Sequence, residues 1–136
     1  MVVSIDLYVL LAVAIFLQTK HLVVDFYLQT PYMYLNKGTF LHPGGLIHAA
    51  FHALVTIVGL TSLPLDFGWL LIIGAVEFFV HYFMDWTKVN VCRWWDYHPK
   101  TAKFWEWLGL DQWVHQLNYI FTLAVCLKLG ALAPPT

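Results

Sequence analysis

The chain has 136 residues, of which 60% are hydrophobic and 11% charged. Soluble domains run about 45–50% apolar and about 25% charged, so these values exclude a water-soluble domain. With a mean hydropathy of +0.67, the sequence reads as one membrane domain over 1–136. Its net charge of −1 offers no argument for nucleic acid, and none is expected as a partner.

A helix across the bilayer core needs about 20 mostly apolar residues. Four stretches qualify. The first covers 5–29, interrupted by Gln18, Thr19 and Lys20; the second, 44–63, is short and rich in small residues. The third covers 67–88 and the fourth 104–129. Pro31, Pro43, Pro64 and Pro99 fall between the runs, where chain breakers belong. The expected fold is an all-α, four-helix transmembrane up-down bundle. Gly44, Gly45, Ala49, Ala50 and Ala53 permit close helix packing or self-association into a homo-oligomer. Cys92 and Cys126 are expected towards opposite membrane faces, and therefore unpaired. A cleavable signal peptide is not expected, because its removal would delete His21 and Asp25.

Each run carries two His or Asp residues four apart: His21 and Asp25, His48 and His52, His81 and Asp85, Asp111 and His115. Residues at that spacing share a helix face, and ionisable groups at membrane depth mark functional sites. The pairs lie near the C-terminal ends of the first and third helices and the N-terminal ends of the second and fourth. Alternating helix direction therefore brings all four to one membrane face. Asp25, His48, Asp85 and Asp111 form an outer tier; His21, His52, His81 and His115 form an inner one, about 6 Å deeper. Glu77 extends the third stripe inwards by a turn. The loops 30–43 and 89–103 on that side carry Lys37, Arg93, Lys100 and Lys103, with Lys88 beside them, whereas only Lys128 lies near the other. The positive-inside rule then puts the site at the cytoplasmic side and both termini outside.

Imidazole and carboxylate together suit zinc, iron, nickel or manganese. Eight ligands exceed what one tetrahedral ion uses, and two divalent ions about 3.5–4 Å apart would engage them. Zinc is the first expectation, with iron or manganese as alternatives. Histidine-rich membrane stripes also occur in di-iron oxygen-activating enzymes, but three aspartates favour a hydrolytic centre. Haem would leave those aspartates unexplained. The plainer alternative is an interhelical hydrogen-bond network.

Asp25, Asp85, Asp111 and Glu77 are candidates for the general base, and Glu77 is equally a support for His81 or a buried carboxyl. Gln29 and Gln112 are placed to assist ligands. Lys37, Lys88 and Arg93 can hold a phosphate or anionic headgroup, or serve as snorkelling topology signals. His42 and His98 fall outside the register and are not expected as ligands. Trp86, Trp94, Trp95, Trp105, Trp107 and Trp113 read first as an interfacial belt. Ser4 and Ser62 fall towards the opposite face, which favours activated water over a serine nucleophile.

The run HLVVDFYLQT at 21–30, Lys37, HAAFH at 48–52, HYFMDWTK at 81–88 and DQWVH at 111–115 together resemble the small bacterial and phage membrane proteins grouped as domain of unknown function 3307. That resemblance implies a small multi-helix membrane protein, placed in a bacterial inner membrane, and supplies no activity. A looser resemblance, in ligand type alone, is to inner-membrane metal-dependent hydrolases and zinc-dependent membrane ceramidases. The expected function is a metal-dependent hydrolase acting on a lipid-linked or phosphorylated substrate. A divalent-metal transporter or sensor is the first alternative, but it needs a polar path to both sides. A structural or phage-accessory membrane protein is the other.

Overall fold

A computed structural model describes residues 6–131, and every described element is helical. Helix α1 spans Leu7–Leu22 and continues as a π-helical turn over Val23–Tyr27. A single turn, α2, spans Pro31–Tyr34. The long helices α3, α4 and α5 span Pro43–Leu60, Phe67–Trp94 and Ala102–Lys128.

The starts follow from local chemistry. The Asp6 carboxylate accepts hydrogen bonds from the Tyr8 and Val9 amides and opens α1. Thr30 caps α2 and His42 caps α3, each followed by proline at the first helical position, where its missing N–H costs nothing. The sequence pattern ends the third helix at Lys88, but α4 continues to Trp94. Asn90 explains part of that length: its amide donates to the Trp86 carbonyl within the helix and to the Gly38 carbonyl in the preceding connection. Tyr82 helps, its hydroxyl accepting from the Leu41 amide at 2.6 Å. Leu41 has φ +56°, a left-handed conformation that is unusual for a branched side chain. The segment 28–42 is thereby strapped across α4.

Around the bundle, α4 packs against α3 and α5, and α1 packs against α3 and α5. The site-bearing ends of α1 and α4 meet the site-bearing starts of α3 and α5, as alternating direction requires. Gly44, Gly45, Ala49 and Ala53 are buried on α3 and let it lie close to its neighbours. One half of the interior is apolar, built from Val13, Leu17, Leu60, Leu70, Ile73, Tyr119 and Cys126. The other half is polar. Phe26, Leu54, Phe79, Trp113 and Ile120, by contrast, are exposed. A half-polar interior beneath large exposed apolar side chains is the inverse of the pattern in a water-soluble bundle.

Three stretches are long and apolar enough to cross a membrane: Leu7–Tyr27, Pro43–Leu60 and Phe67–Trp94. Helix α5 has the length, but Lys103, Glu106, Asp111 and His115 in its first half lower its hydropathy. Cys92 and Cys126 are both buried and free. Ser62 lies in the turn after α3 and donates to the Gly59 carbonyl, whereas Ser4 lies outside the described residues.

Candidate metal centre

Asp25 is the hub of the polar half. It sits in the π-helical turn, whose wider ring is closed by the Leu28 amide on the Val23 carbonyl at 3.0 Å, and such turns recur at functional sites. Its Oδ1 lies 2.9 Å from His48 Nε2, 3.1 Å from His52 Nε2 and 3.6 Å from His81 Nε2. The other oxygen, Oδ2, lies 3.1 Å from His21 Nε2. Sequence spacing thus delivers pairs, and the π turn aims one carboxylate at α3 and α4 as well as at His21 on its own helix.

Two overlapping sets of ligand atoms result. Asp25, His48, His52 and His81 form one, and His81, Asp85 and His115 the other, with the atoms of each set within 4.8 Å of one another. Nitrogens about 2.0–2.1 Å from one zinc are necessarily within about 4.2 Å of each other. The 3.0 Å between the Nε2 atoms of His48 and His81 meets that condition without rearrangement. In the second set Asp85 Oδ2 lies 3.4 Å from His81 Nε2, and Asp85 Oδ1 lies 3.7 Å from His115 Nε2. The rings of His52, His81 and His115 stack in series, with centroids 3.8 Å and 4.1 Å apart.

His21 and Asp111 stand beside these sets. The Tyr119 hydroxyl lies 2.8 Å from His21 Nδ1, and Gln112 Oε1 lies 3.0 Å from His21 Nε2. Gln112 also donates to Asp111 Oδ2, so it bridges the two. Asp111 Oδ1 lies 3.3 Å from His115 Nε2, but neither atom has an aligned hydrogen-bond partner. Buried polar atoms in native proteins are nearly always satisfied. The orphaned His115 Nε2, which faces Asp85 and Asp111, fits a donor to an ion, whereas the unpartnered Nδ1 atoms of His48 and His81 lie across the ring from the Nε2 atoms that enter the cluster.

The remaining expected residues divide. A cavity of about 280 Å³ opens on the cluster and is lined by Asp25, Asp85, Asp111, Gln29, Gln112, Lys37 and Lys88, with Phe26, Tyr34, Val89 and Leu108 as its apolar wall. Lys37 Nζ lies 2.7 Å from Asp85 Oδ2. Gln29 donates to the Asp25 carbonyl. Arg93 is exposed on the last turn of α4, which is helix rather than loop, and lies outside the cavity lining. His42 caps α3 through Nδ1, and His98 sits in the turn before α5. Trp94, Trp95, Trp105 and Trp113 are exposed on the outside of the bundle, whereas Trp86 is half-buried.

Lys20 is the residue that sequence reasoning passes over. Only 4% exposed, it pairs with Glu77 and approaches His52, its Nζ being 3.4 Å from Nδ1 and 3.3 Å from the carbonyl. Three acceptors match the three donors of an ammonium. Glu77, expected as a base, as support for His81 or as a buried carboxyl, is buried and pairs with Lys20. Tyr119 is the second omission, and its position four residues after His115 was the available signal.

Fold and site define a class: a small helical protein with three helices long and apolar enough to cross a membrane and a His/Asp core that could hold a metal ion. The chain belongs to the family described as protein of unknown function, DUF3307, whose model matches residues 11–132. No curated protein and no solved structure matches it.

Proposed function

We propose that this chain is an integral-membrane metal-dependent hydrolase with a dinuclear centre. The observation that carries the reading is two adjoining donor groups, Asp25, His48 and His52 beside Asp85 and His115, with His81 Nε2 able to complete one of them, set beneath a cavity with three carboxylates on its floor. Two divalent ions held there would polarise a phosphoryl or acyl oxygen and activate water. Asp111 is the best-placed general base: it lines the cavity, lies outside both donor sets, and has one unpartnered oxygen. In the reaction a water oxygen adds to the phosphorus or acyl carbon and the ester bond breaks. The water proton passes through the carboxylate to the departing alcohol.

Helix α5 is the fourth span in this reading. Its polar residues Asp111, His115 and Thr122 are buried, whereas Trp113, Leu117, Ile120 and Phe121 are exposed and suit lipid. Lys37, Lys88, Arg93, Lys100 and Lys103 then mark the site side as cytoplasmic, in a bacterial or phage-encoded inner-membrane protein. A transporter would need the polar core to continue across the membrane. Below Lys20, Glu77, Thr56 and Thr122, the apolar cluster around Leu17, Leu60 and Ile73 fills the described interior.

The test is elemental mass spectrometry on detergent-purified protein, beside an Asp25→Ala variant and an Asp85→Ala, His115→Ala double variant. Near two equivalents per chain in the parent, with about one lost in each variant, is the expected result. Zinc or manganese fits hydrolysis, and iron would replace hydrolysis by oxygen activation. A parent that binds no metal after reconstitution overturns the proposal and leaves an interhelical network.

A further inference from the structure

The cavity above the cluster has an unequal charge balance. Asp25, Asp85 and Asp111 contribute three carboxylates, and Lys37 and Lys88 contribute two ammoniums. Without metal the lining is net negative. One divalent ion reverses that sign, and two leave a strongly positive floor. A ligand that shares the cavity with metal is therefore an anion.

The two lysines differ in how they are held. Lys37 is tied to Asp85 at 2.7 Å and lines the cavity, so a cation on that carboxylate would compete with its ammonium and free it for another anion. Lys88 has no carboxylate partner among the described residues, and its Nζ lies 5.3 Å from the centroid of the Phe104 ring. It is a half-buried cation with donors to spare. Gln29 and Gln112 add neutral polar groups to the lining, and Phe26, Val89 and Leu108 form an apolar wall. Phe26 is 63% exposed, so that wall continues onto the outer surface of α1. Two ammoniums lining one cavity, beside an apolar strip leading outwards, suit a phosphate ester.

We infer that the cavity seats the phosphate group of the substrate, with Lys88 and the released Lys37 as its cationic contacts. This rests on the metal reading above, because the cavity turns positive only when loaded. The chemistry is shared by a soluble phosphate ester and a phospholipid headgroup, and the Phe26 wall is what would favour the second.

Protein loaded with its metal in a non-ionic detergent would be titrated with inorganic phosphate by calorimetry, and separately with phosphatidic acid in mixed micelles. The expected result is phosphate binding by the loaded parent and none by the metal-free protein. Binding should weaken at least tenfold in Lys88→Met, whose unchanged metal content shows that the fold and centre are intact. Tighter binding of phosphatidic acid than of inorganic phosphate identifies a lipid source, and equal binding a soluble one. A loaded parent that ignores both probes, or equal affinity in Lys88→Met, overturns the inference and leaves the metal reading standing. A parent without metal overturns both.

Discussion

The polar core holds two layers of charge with the inner histidines between them, and they are balanced differently. In the deeper layer the chain supplies its own countercharge: Lys20 and Glu77 pair, each almost fully buried, and Lys20 spends its remaining donors on His52. In the upper layer Asp25, Asp85 and Asp111 face histidines, and Lys37 is the one lysine within ion-pair reach among the described residues. The deeper layer balances its charge within the chain, although Glu77 Oε2 has no hydrogen-bond partner, whereas the layer under the cavity is short of positive charge. A protein that wanted only helix adhesion had the means to neutralise both layers with lysine.

The sharpest way to break this comparison is to open the deeper layer. Removing one member of a buried ion pair strands the other and costs about 3–5 kcal/mol. Lys20→Met alone, or Glu77→Leu alone, should therefore lower the denaturation temperature in detergent steeply. The double variant, with matching apolar groups, should recover most of the loss, since buried pairs are often replaceable as a unit. Metal content of the double variant should stay close to the parent's. If the double variant were as unstable as either single one, Lys20 and Glu77 would not act as a self-contained pair.

How far this division is legible in the sequence depends on periodicity. Four pairs at i, i+4 translate directly into four helix faces, and alternating helix direction brings them together. For that reason spacing alone suffices to group His48, His52, His81, Asp85 and His115. It does not suffice for Lys20. A single lysine in an apolar run reads as a side chain snorkelling to an interface, and nothing in its spacing points to Glu77 on another helix. The end of α4 is hidden because Lys88, Asn90 and Arg93 look like a loop, although Asn90 is a buried strap. The π turn at Val23–Tyr27 has no local signature, yet it aims Asp25. Lys37 is recognisable as a cation, but its placement on Asp85 depends on the tethers from Asn90 and Tyr82, which are tertiary.

Lys37 offers a smaller, opposite test of the same comparison. Its ammonium competes with any ion for Asp85, so Lys37→Met should tighten metal binding by up to about tenfold, or about 1.4 kcal/mol. Competition against a chelator of known affinity measures this, and the same variant should bind phosphate more weakly. Weaker metal binding in Lys37→Met would mean that the lysine supports the donor set rather than competing with it.

The smallest effect belongs to Gln112, which links His21 to Asp111 outside both donor sets. If those sets hold the ions, Gln112→Leu removes hydrogen bonds worth about 0.5–1.5 kcal/mol each and leaves metal stoichiometry unchanged. A modest drop in thermal stability with full metal content is the expected pair of readings. Loss of one metal equivalent would instead enlarge the centre, because Gln112 would then be orienting ligands. His21 and Asp111 would join the other six, and the eight-residue arrangement read from helix periodicity would describe the whole site.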